Sequence, residues 1–281
     1  VSNIYKKDTP IVWTIGHSDS SGGTGVQADL HTFHDYGVYG CSVITSLVAQ
    51  NSFASGYALA TERKSVVAQI NALDSDMPAK VIKVAAIPEA QVLDSVVKYL
   101  DDFDGFVLYD LELENSGELL AQVGTALQED FLPRVDLFIV NTDEVVALTG
   151  RTINNESSML AAANDLLKQG ARSVFITGAQ LVEHDGKRLD YWTNGENSFW
   201  LAIEAISTVN NRGGGSTLSA AITAGLAKGM AIDEAIKLAK AYVTRGIREG
   251  NQIGSGPGSV AHLGLPAADD ADIPVLLTSL S

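Results

Sequence analysis

Short β-branched runs alternate along this chain with stretches whose apolar residues fall at helical spacing, and that alternation restricts the fold more than any other feature. Strands are predicted at Ile11 to Ile15, Cys41 to Ala49, Val81 to Ala85, Phe106 to Tyr109, Leu137 to Val140 and Ser173 to Thr177. Helical patterns lie between them, including Val26 to Tyr36 and Glu62 to Leu73, where Val66, Val67, Ile70 and Leu73 share one face. A chain built this way is an α/β protein with a mostly parallel sheet and helices on both faces. The alternation is broken in two places, first where Asp190 to Thr193 and Ser198 to Ala202 flank Asn194-Gly195, a turn signal that predicts an antiparallel edge hairpin. Two consecutive helices follow, Ser216 to Ala227 and Ile232 to Ile247. The sequence from Asn251 reads as loop, and Asp269 to Ser281 has no evident partner, so one domain over residues 1–265 and a tail or linker over 266–281 are expected.

With 281 residues, 46% of them hydrophobic, the chain can bury a sizeable core in one large domain. Its 19 basic and 34 acidic residues give a net charge of −15, the wrong sign for attraction to nucleic acid or anionic lipid. An anionic small molecule stays compatible, because it needs only local donors such as a helix N-terminus. The single cysteine, Cys41, excludes an internal disulfide, and with no secretory pattern or bilayer-length apolar run the expected location is cytoplasmic. The opening residue is valine rather than methionine, as expected of a processed or excised piece.

Several local motifs carry chemistry. Gly23-Thr24-Gly25-Val26-Gln27-Ala28 fits the dinucleotide fingerprint after a strand, yet no acid stands at the end of the second strand, Ala49-Gln50-Asn51, so a plain tight turn is the better reading. Gly16-His17-Ser18-Asp19-Ser20 approximates a nucleophile elbow but lacks its final glycine. His31 and His34 have no neighbouring Cys or His to complete a metal site, and read as surface or capping residues. The most informative run is Asn210-Asn211-Arg212-Gly213-Gly214-Gly215-Ser216-Thr217, directly before an amphipathic helix. Converging glycine amides and the helix dipole suit an oxyanion or a transferred phosphoryl group. The alternative is a flexible loop with Ser216 or Thr217 as N-cap.

Taken in order, Thr14 to Asp29, Gly40 to Thr45, Ala49-Gln50-Asn51, Asn141-Thr142-Asp143-Glu144, the glycine loop with Thr217 to Ala221, and Gly256-Pro257-Gly258 resemble the hydroxymethylpyrimidine/phosphomethylpyrimidine kinases of the ribokinase-like superfamily. Asp190 to Gly195 and the ending are most similar to the kinase part of fusions with thiamine phosphate synthase. The resemblance implies a three-layer ribokinase-like fold, ATP with Mg²⁺, and phosphorylation of hydroxymethylpyrimidine or its monophosphate in thiamine biosynthesis. By position it places Asp29, Val48, Gln50, Thr24 and Ala86 against the pyrimidine, and Asn141, Thr177 and Arg212 near the nucleotide. Glu144 and Asp110 would serve the metal, and Gly213, Gly214, Gly215 and Ser216 the catalytic anion hole. A homodimer follows by analogy alone.

The departures from the family pattern sit on ligand-facing loops. Ser216 replaces a cysteine or aspartate able to take the substrate proton, and Arg212 replaces a small residue or histidine. His17 stands for glycine, Thr24 for alanine, and Ala85-Ala86 for Gly-Met after Lys83. Tyr109-Asp110 stands for Asp-Pro, displacing the carboxylate by one residue, and Thr177-Gly178-Ala179-Gln180 stands for Lys-Gly-Gly-His. Two readings follow: an ATP-dependent kinase, or a kinase-fold protein that binds a pyrimidine or related ligand without turnover.

Overall fold

The computed structural model describes residues 6–112, 127–178, 183–184, 187–265 and 274–277. The chain opens with β1 (Ile11–Asp19), α1 (Gly25–Tyr36), β2 (Tyr39–Gln50), β3 (Ser55–Ala60), α2 (Arg63–Asp74), β4 (Val81–Val84), α3 (Ala90–Leu100) and β5 (Phe106–Asp110). After a π turn and a 3-10 turn come β6 (Leu137–Asn141), α4 (Thr142–Thr149), α5 (Glu156–Lys168), β7 (Val174–Thr177), β8 (Glu183–His184), β9 (Lys187–Thr193) and β10 (Ser198–Glu204). Two long helices, α6 (Gly214–Ala227) and α7 (Ile232–Arg248), precede β11 (Val275–Leu277).

One sheet runs β11-β10-β9-β7-β6-β5-β4-β1-β2-β3, with β8 paired to β9. The pairs from β2 through β1, β4, β5 and β6 to β7 are parallel, and β3, β9, β10 and β11 add antiparallel edges. The expected β9–β10 hairpin is present, its turn held by Gly195 at φ 90°. Two pairings were not expected from the sequence. β3 folds back on β2, and Val275–Leu277 from the expected tail pairs with Trp200 to Ala202.

Strand pleating sorts side chains between two cores. Trp13, Ile15, Ile82, Val84, Val107, Tyr109, Phe138 and Val140 face the layer of α2, α3, α4 and α5. Val12, Val81, Leu108, Leu137 and Ile139 face α1, α6 and α7. The three expected layers result. Helix α6 lies against the sheet between α1 and α7, and its Leu218 and Ile222 each gain about 1.5–3 kcal/mol on leaving water. A helix buried on this many sides from Ser216 onward cannot be exposed without unfolding the layer, so its axis is fixed against the sheet.

Strand β1 is the topological switch: the chain moves from it to β2 on one side, then returns to β4 on the other. In open α/β sheets a crevice forms beyond the carboxyl ends of the strands at such a point.

Candidate active site

By that rule the candidate residues are those at and just past the strand ends. β1 runs four residues beyond the expected Ile15, to Asp19, with a register shift between Gly16 and His17. Ser18 therefore lies in the strand, accepts a hydrogen bond from Gln27 Nε2 at 2.8 Å, and forms no nucleophile elbow. His31 and His34 are exposed on α1; the His31 ring lies 5.3 Å from that of His262, and among the described residues no three possible metal ligands are grouped.

The glycine run forms the N-terminus of α6. Gly213 is the N-cap residue at φ 81°, and a Cβ there would lie 1.9 Å from the Gly23 carbonyl, so conformation and space both demand glycine. No side chain caps this helix, which corrects the reading of Ser216 or Thr217 as N-cap. The backbone turns Gly214 N–H to Asn211 O and Thr217 N–H to Gly213 O. Gly215 and Ser216 lie between them, in the first turn where amides lack intrahelical acceptors, and a Cβ on Gly215 would meet open space. Free amides at a helix N-terminus of this kind are suited to an anion.

Ser216 points sideways: its Oγ donates to Glu112 Oε1 at 2.8 Å. Glu112 Oε2 stands 3.0 Å from His17 Nδ1, and His17 Nε2 lies 3.3 Å from Thr24 Oγ1. Neither Glu112 nor this chain of contacts was anticipated. The available signal was parity: Leu108, Asp110 and Glu112 are spaced by two along an extended segment, and Leu108 faces α6.

Beneath the first turn of α6 lies a buried charge cluster. Lys83, 0% exposed, donates to Asp29 Oδ1 at 2.5 Å and to Ser216 O at 3.3 Å, and stands 3.8 Å from Asp110 Oδ2. Thr14 Oγ1 donates to Asp29, and Ser219 Oγ donates to Asp110 Oδ2 at 2.6 Å. Burial opposes the charge on Lys83, yet Asp29, Asp110 and Glu112 together hold its pKa above the ordinary value. Burial likewise opposes charge on His17, but the Glu112 hydrogen bond and charge outweigh it and raise the histidine pKa. Glu112 is correspondingly pulled down to about 2, against its burial, first by His17 and then by Lys83. Asp110 absorbs the remaining excess of negative charge, its pKa pushed up to about 6 by burial despite Lys83.

The sequence-derived ligand residues separate into groups. Thr24, Val48 and Gln50 come together at the β1 and β2 ends: Val48 pairs with Asp19, and Gln50 Nε2 donates to Thr24 Oγ1 at 3.0 Å. Ala86 is buried just past β4, its carbonyl bound by Thr45 Oγ1 at 2.7 Å. Asp29 is placed below this group, enclosed with Lys83 and Thr14. Asn141 and Thr177 are register partners at the ends of β6 and β7. Asn141 and Glu144 form a capping box for α4, Asn141 Oδ1 accepting from Asp143 N and Glu144 N while Glu144 Oε2 accepts from Asn141 N at 2.8 Å. Tyr109 turns to the opposite layer and stacks on Phe138, so the one-residue displacement leaves Asp110 as the β5 carboxylate facing α6. Ala179 and Gln180 lie outside the described residues.

Arg212, expected near the nucleotide, spends both terminal nitrogens on the β1–α1 loop: Nη2 lies 2.9 Å from Asp19 Oδ2, and Nη1 donates to Ser21 Oγ at 2.7 Å. Asp19 also accepts from Ser21 N, Thr24 N and Thr24 Oγ1. Burial would raise its pKa, but these donors and the Arg212 charge hold it below the ordinary carboxylate value.

A mostly parallel sheet with helices on both faces and antiparallel edge strands is the architecture of the ribokinase-like small-molecule kinases. The family model described as phosphomethylpyrimidine kinase matches residues 19–261. Hydroxymethylpyrimidine/phosphomethylpyrimidine kinases of Rhizobium meliloti and Haemophilus influenzae are each 35% identical to this chain, covering 90% and 89% of it and 97% and 96% of their own lengths. The chain belongs to the phosphomethylpyrimidine kinase family. Among solved structures, the pyridoxal kinase of Staphylococcus aureus in complex with AMP-PCP and pyridoxal superposes with a TM-score of 0.83 at 25% identity, over 95% of this chain and 97% of that one. The phosphomethylpyrimidine kinase of Clostridium difficile does so with a TM-score of 0.69 at 29% identity, over 84% and 98%.

Proposed function

We propose that this protein transfers the γ-phosphoryl group of ATP to the hydroxymethyl oxygen of hydroxymethylpyrimidine, or to its monophosphate, as a step in thiamine biosynthesis. The observation that carries the reading is the open first turn of α6, where Gly215 has room for a ligand atom at the mouth of the strand-end crevice. Phosphoryl transfer rests mainly on positioning and charge neutralisation, which a helix N-terminus supplies. Thr24, Val48, Gln50 and Ala86 form the acceptor side, and Gly213 to Ser216 the phosphate side, or cradle.

The residues present fit a metal–nucleotide in part. Among the described residues no three His, Cys, Asp or Glu side chains are grouped to hold a metal. Mg²⁺ in such sites keeps waters and phosphate oxygens and needs only one or two carboxylates. Glu144 and Asn141, fixed at the start of α4, are the residues we assign to it, and the bound ion would neutralise phosphate charge. Asp110 is left out of this set, because the buried Lys83 ammonium 3.8 Å from its carboxylate would repel a cation, whereas Asn141 and Glu144 accept from backbone amides in the capping box.

Ser216 alone is a weak proton acceptor. Its own hydroxyl hydrogen is turned to Glu112, so the oxygen lone pairs can receive the proton of the acceptor hydroxyl as Glu112 takes the one Ser216 gives up. In balance, the acceptor O–H bond breaks, its oxygen joins phosphorus, the bond from phosphorus to ADP breaks and ADP leaves, while the proton is relayed through Ser216 and Glu112 to solvent, because a carboxylate held near a pKa of about 2 does not keep it. Steady-state assay of ADP release with the pyrimidine alcohol, its monophosphate and pyridoxal tests the proposal. Turnover with a pyrimidine supports it. One observation favours the second reading, a binding protein without turnover: the Glu112 carboxylate stands beside the cradle, where it opposes an incoming phosphate. Pyrimidine binding by calorimetry with no ADP release would establish that reading instead.

No helix among the described residues is long and apolar enough to cross a membrane. A cytoplasmic homodimer is the setting we propose, supported by the buried free Cys41 and by analogy of fold.

A further inference from the structure

The guanidinium of Arg212 bridges parts of the chain almost two hundred residues apart. On one side, Arg212 immediately precedes the Gly213 cap of the phosphate cradle, and its backbone is pinned by bonds from Arg212 N to Gly258 O at 3.2 Å and from Val260 N to Arg212 O at 3.0 Å. On the other, it meets Asp19, whose side chain is 0% exposed. Asp19 in turn fixes Thr24 through both its amide and its hydroxyl, at 2.9 Å and 2.8 Å, and Thr24 Oγ1 receives Gln50 Nε2. A continuous set of bonds thus joins the acceptor-side residues Thr24 and Gln50 to the residue that starts the cradle.

The two loops also touch directly. Gly213 packs on the Gly23 carbonyl, and a Cβ on Gly23 would lie 2.5 Å from Arg212 Nη1 and 2.2 Å from Ser259 Oγ. Glycine on both sides leaves room for the guanidinium and little else. A flat, forked cation reaching a buried carboxylate and a hydroxyl at once holds orientation as well as distance, which an ammonium does less well.

We infer that Arg212 is a positioning residue: acting through Asp19, it sets the phosphate cradle against the acceptor pocket, and it makes no contact with phosphate. This rests on the kinase reading above and adds a division of labour to it. Misplacing a reacting group by about 1 Å can cost on the order of 10²-fold in rate, so the clasp should act on kcat more than on either KM. It should also couple the two ligands. When the loops are held together, binding on one side organises the other, and the effect is reciprocal.

The experiment compares wild type with Arg212→Gln, Arg212→Lys, Asp19→Asn and the Arg212→Gln/Asp19→Asn double variant, each checked for folding by circular dichroism. Calorimetry measures binding of a non-hydrolysable ATP analogue with and without hydroxymethylpyrimidine, and steady-state assay gives kcat and both KM values. Expected in the wild type is a mutual tightening of at least about 5-fold. In Arg212→Gln that coupling should fall to near onefold, and kcat should drop on the order of 10²-fold with each KM changed by less than about threefold. Arg212→Lys should recover part of both, and the double variant should lose no more than the worse single one. Three results would overturn the inference: coupling and kcat unchanged in Arg212→Gln; a rise in nucleotide KM alone, which marks a direct phosphate contact; or losses that add in the double variant. A folded wild type that binds both ligands but never turns over contradicts the kinase reading, while its calorimetric coupling still decides the role of Arg212. A wild type that binds neither ligand removes both.

Discussion

Ser216 Oγ and Glu112 Oε1 are joined by a 2.8 Å hydrogen bond at the first turn of α6. The pair places a carboxylate behind a hydroxyl that could not act as a base alone, and His17 holds the other carboxylate oxygen. Glu112→Gln keeps the shape and removes the proton acceptor. Its kcat should fall about 10²–10⁴-fold with little change in pyrimidine KM, whereas Ser216→Cys should stay active, because a thiolate restores a base at the same position. Wild-type kcat in Glu112→Gln would remove Glu112 from the proton path.

His17 links that path to pH. Its pKa is raised in the folded protein, so the stability it contributes is fully present below the ordinary histidine value of about 6.5 and is lost as pH rises through the raised value. The melting-temperature gap between wild type and His17→Gln should therefore be widest at mildly acidic pH and narrow on the alkaline side. A gap that grows with pH would contradict the His17–Glu112 ion pair.

Lys83 is the counter-charge of the interior. Lys83→Met leaves Asp29 and Asp110 buried without their cation and should cost about 3–5 kcal/mol in denaturant unfolding, while the Lys83→Met/Asp29→Asn double variant should recover part of it. Additive losses would show that the two groups do not interact.

Gly213 tests the cradle from its backbone. Gly213→Ala forces a side chain into φ 81° and against the Gly23 carbonyl, so stability should fall by more than about 1 kcal/mol, and affinity for a non-hydrolysable ATP analogue should weaken with it. A variant of unchanged stability and affinity would place the cradle elsewhere.

The layers were legible because strand runs and helix periods leave strong traces: the apolar run Ile11 to Ile15 marks a buried strand, and Ile236 and Ala239 on α7 announce their face from spacing alone. The pairing of Val275–Leu277 with β10 left little trace, since a short edge strand is defined by its partner more than by its own pattern. At the site, Gly213 to Ser216 stood out through glycine chemistry and resemblance. Glu112 did not, because a lone acid past a strand end looks like solvated surface until Ser216 and His17 are folded against it. Arg212 was visible as a cation beside the glycine run, but its partner Asp19 is distant in sequence and became apparent only when both loops were in place.

The most direct measurement concerns Gly215, where a side chain would enter open space. Gly215→Asp puts a carboxylate in the first turn of α6, a position favourable to the helix dipole, so folding should be as stable as in the wild type or more so. With ATP and hydroxymethylpyrimidine, the wild type should form the phosphorylated pyrimidine detected by mass spectrometry, and Gly215→Asp should form none while still binding the pyrimidine. Equal product from both proteins would contradict the account, because the phosphate would then be held somewhere other than the N-terminus of α6.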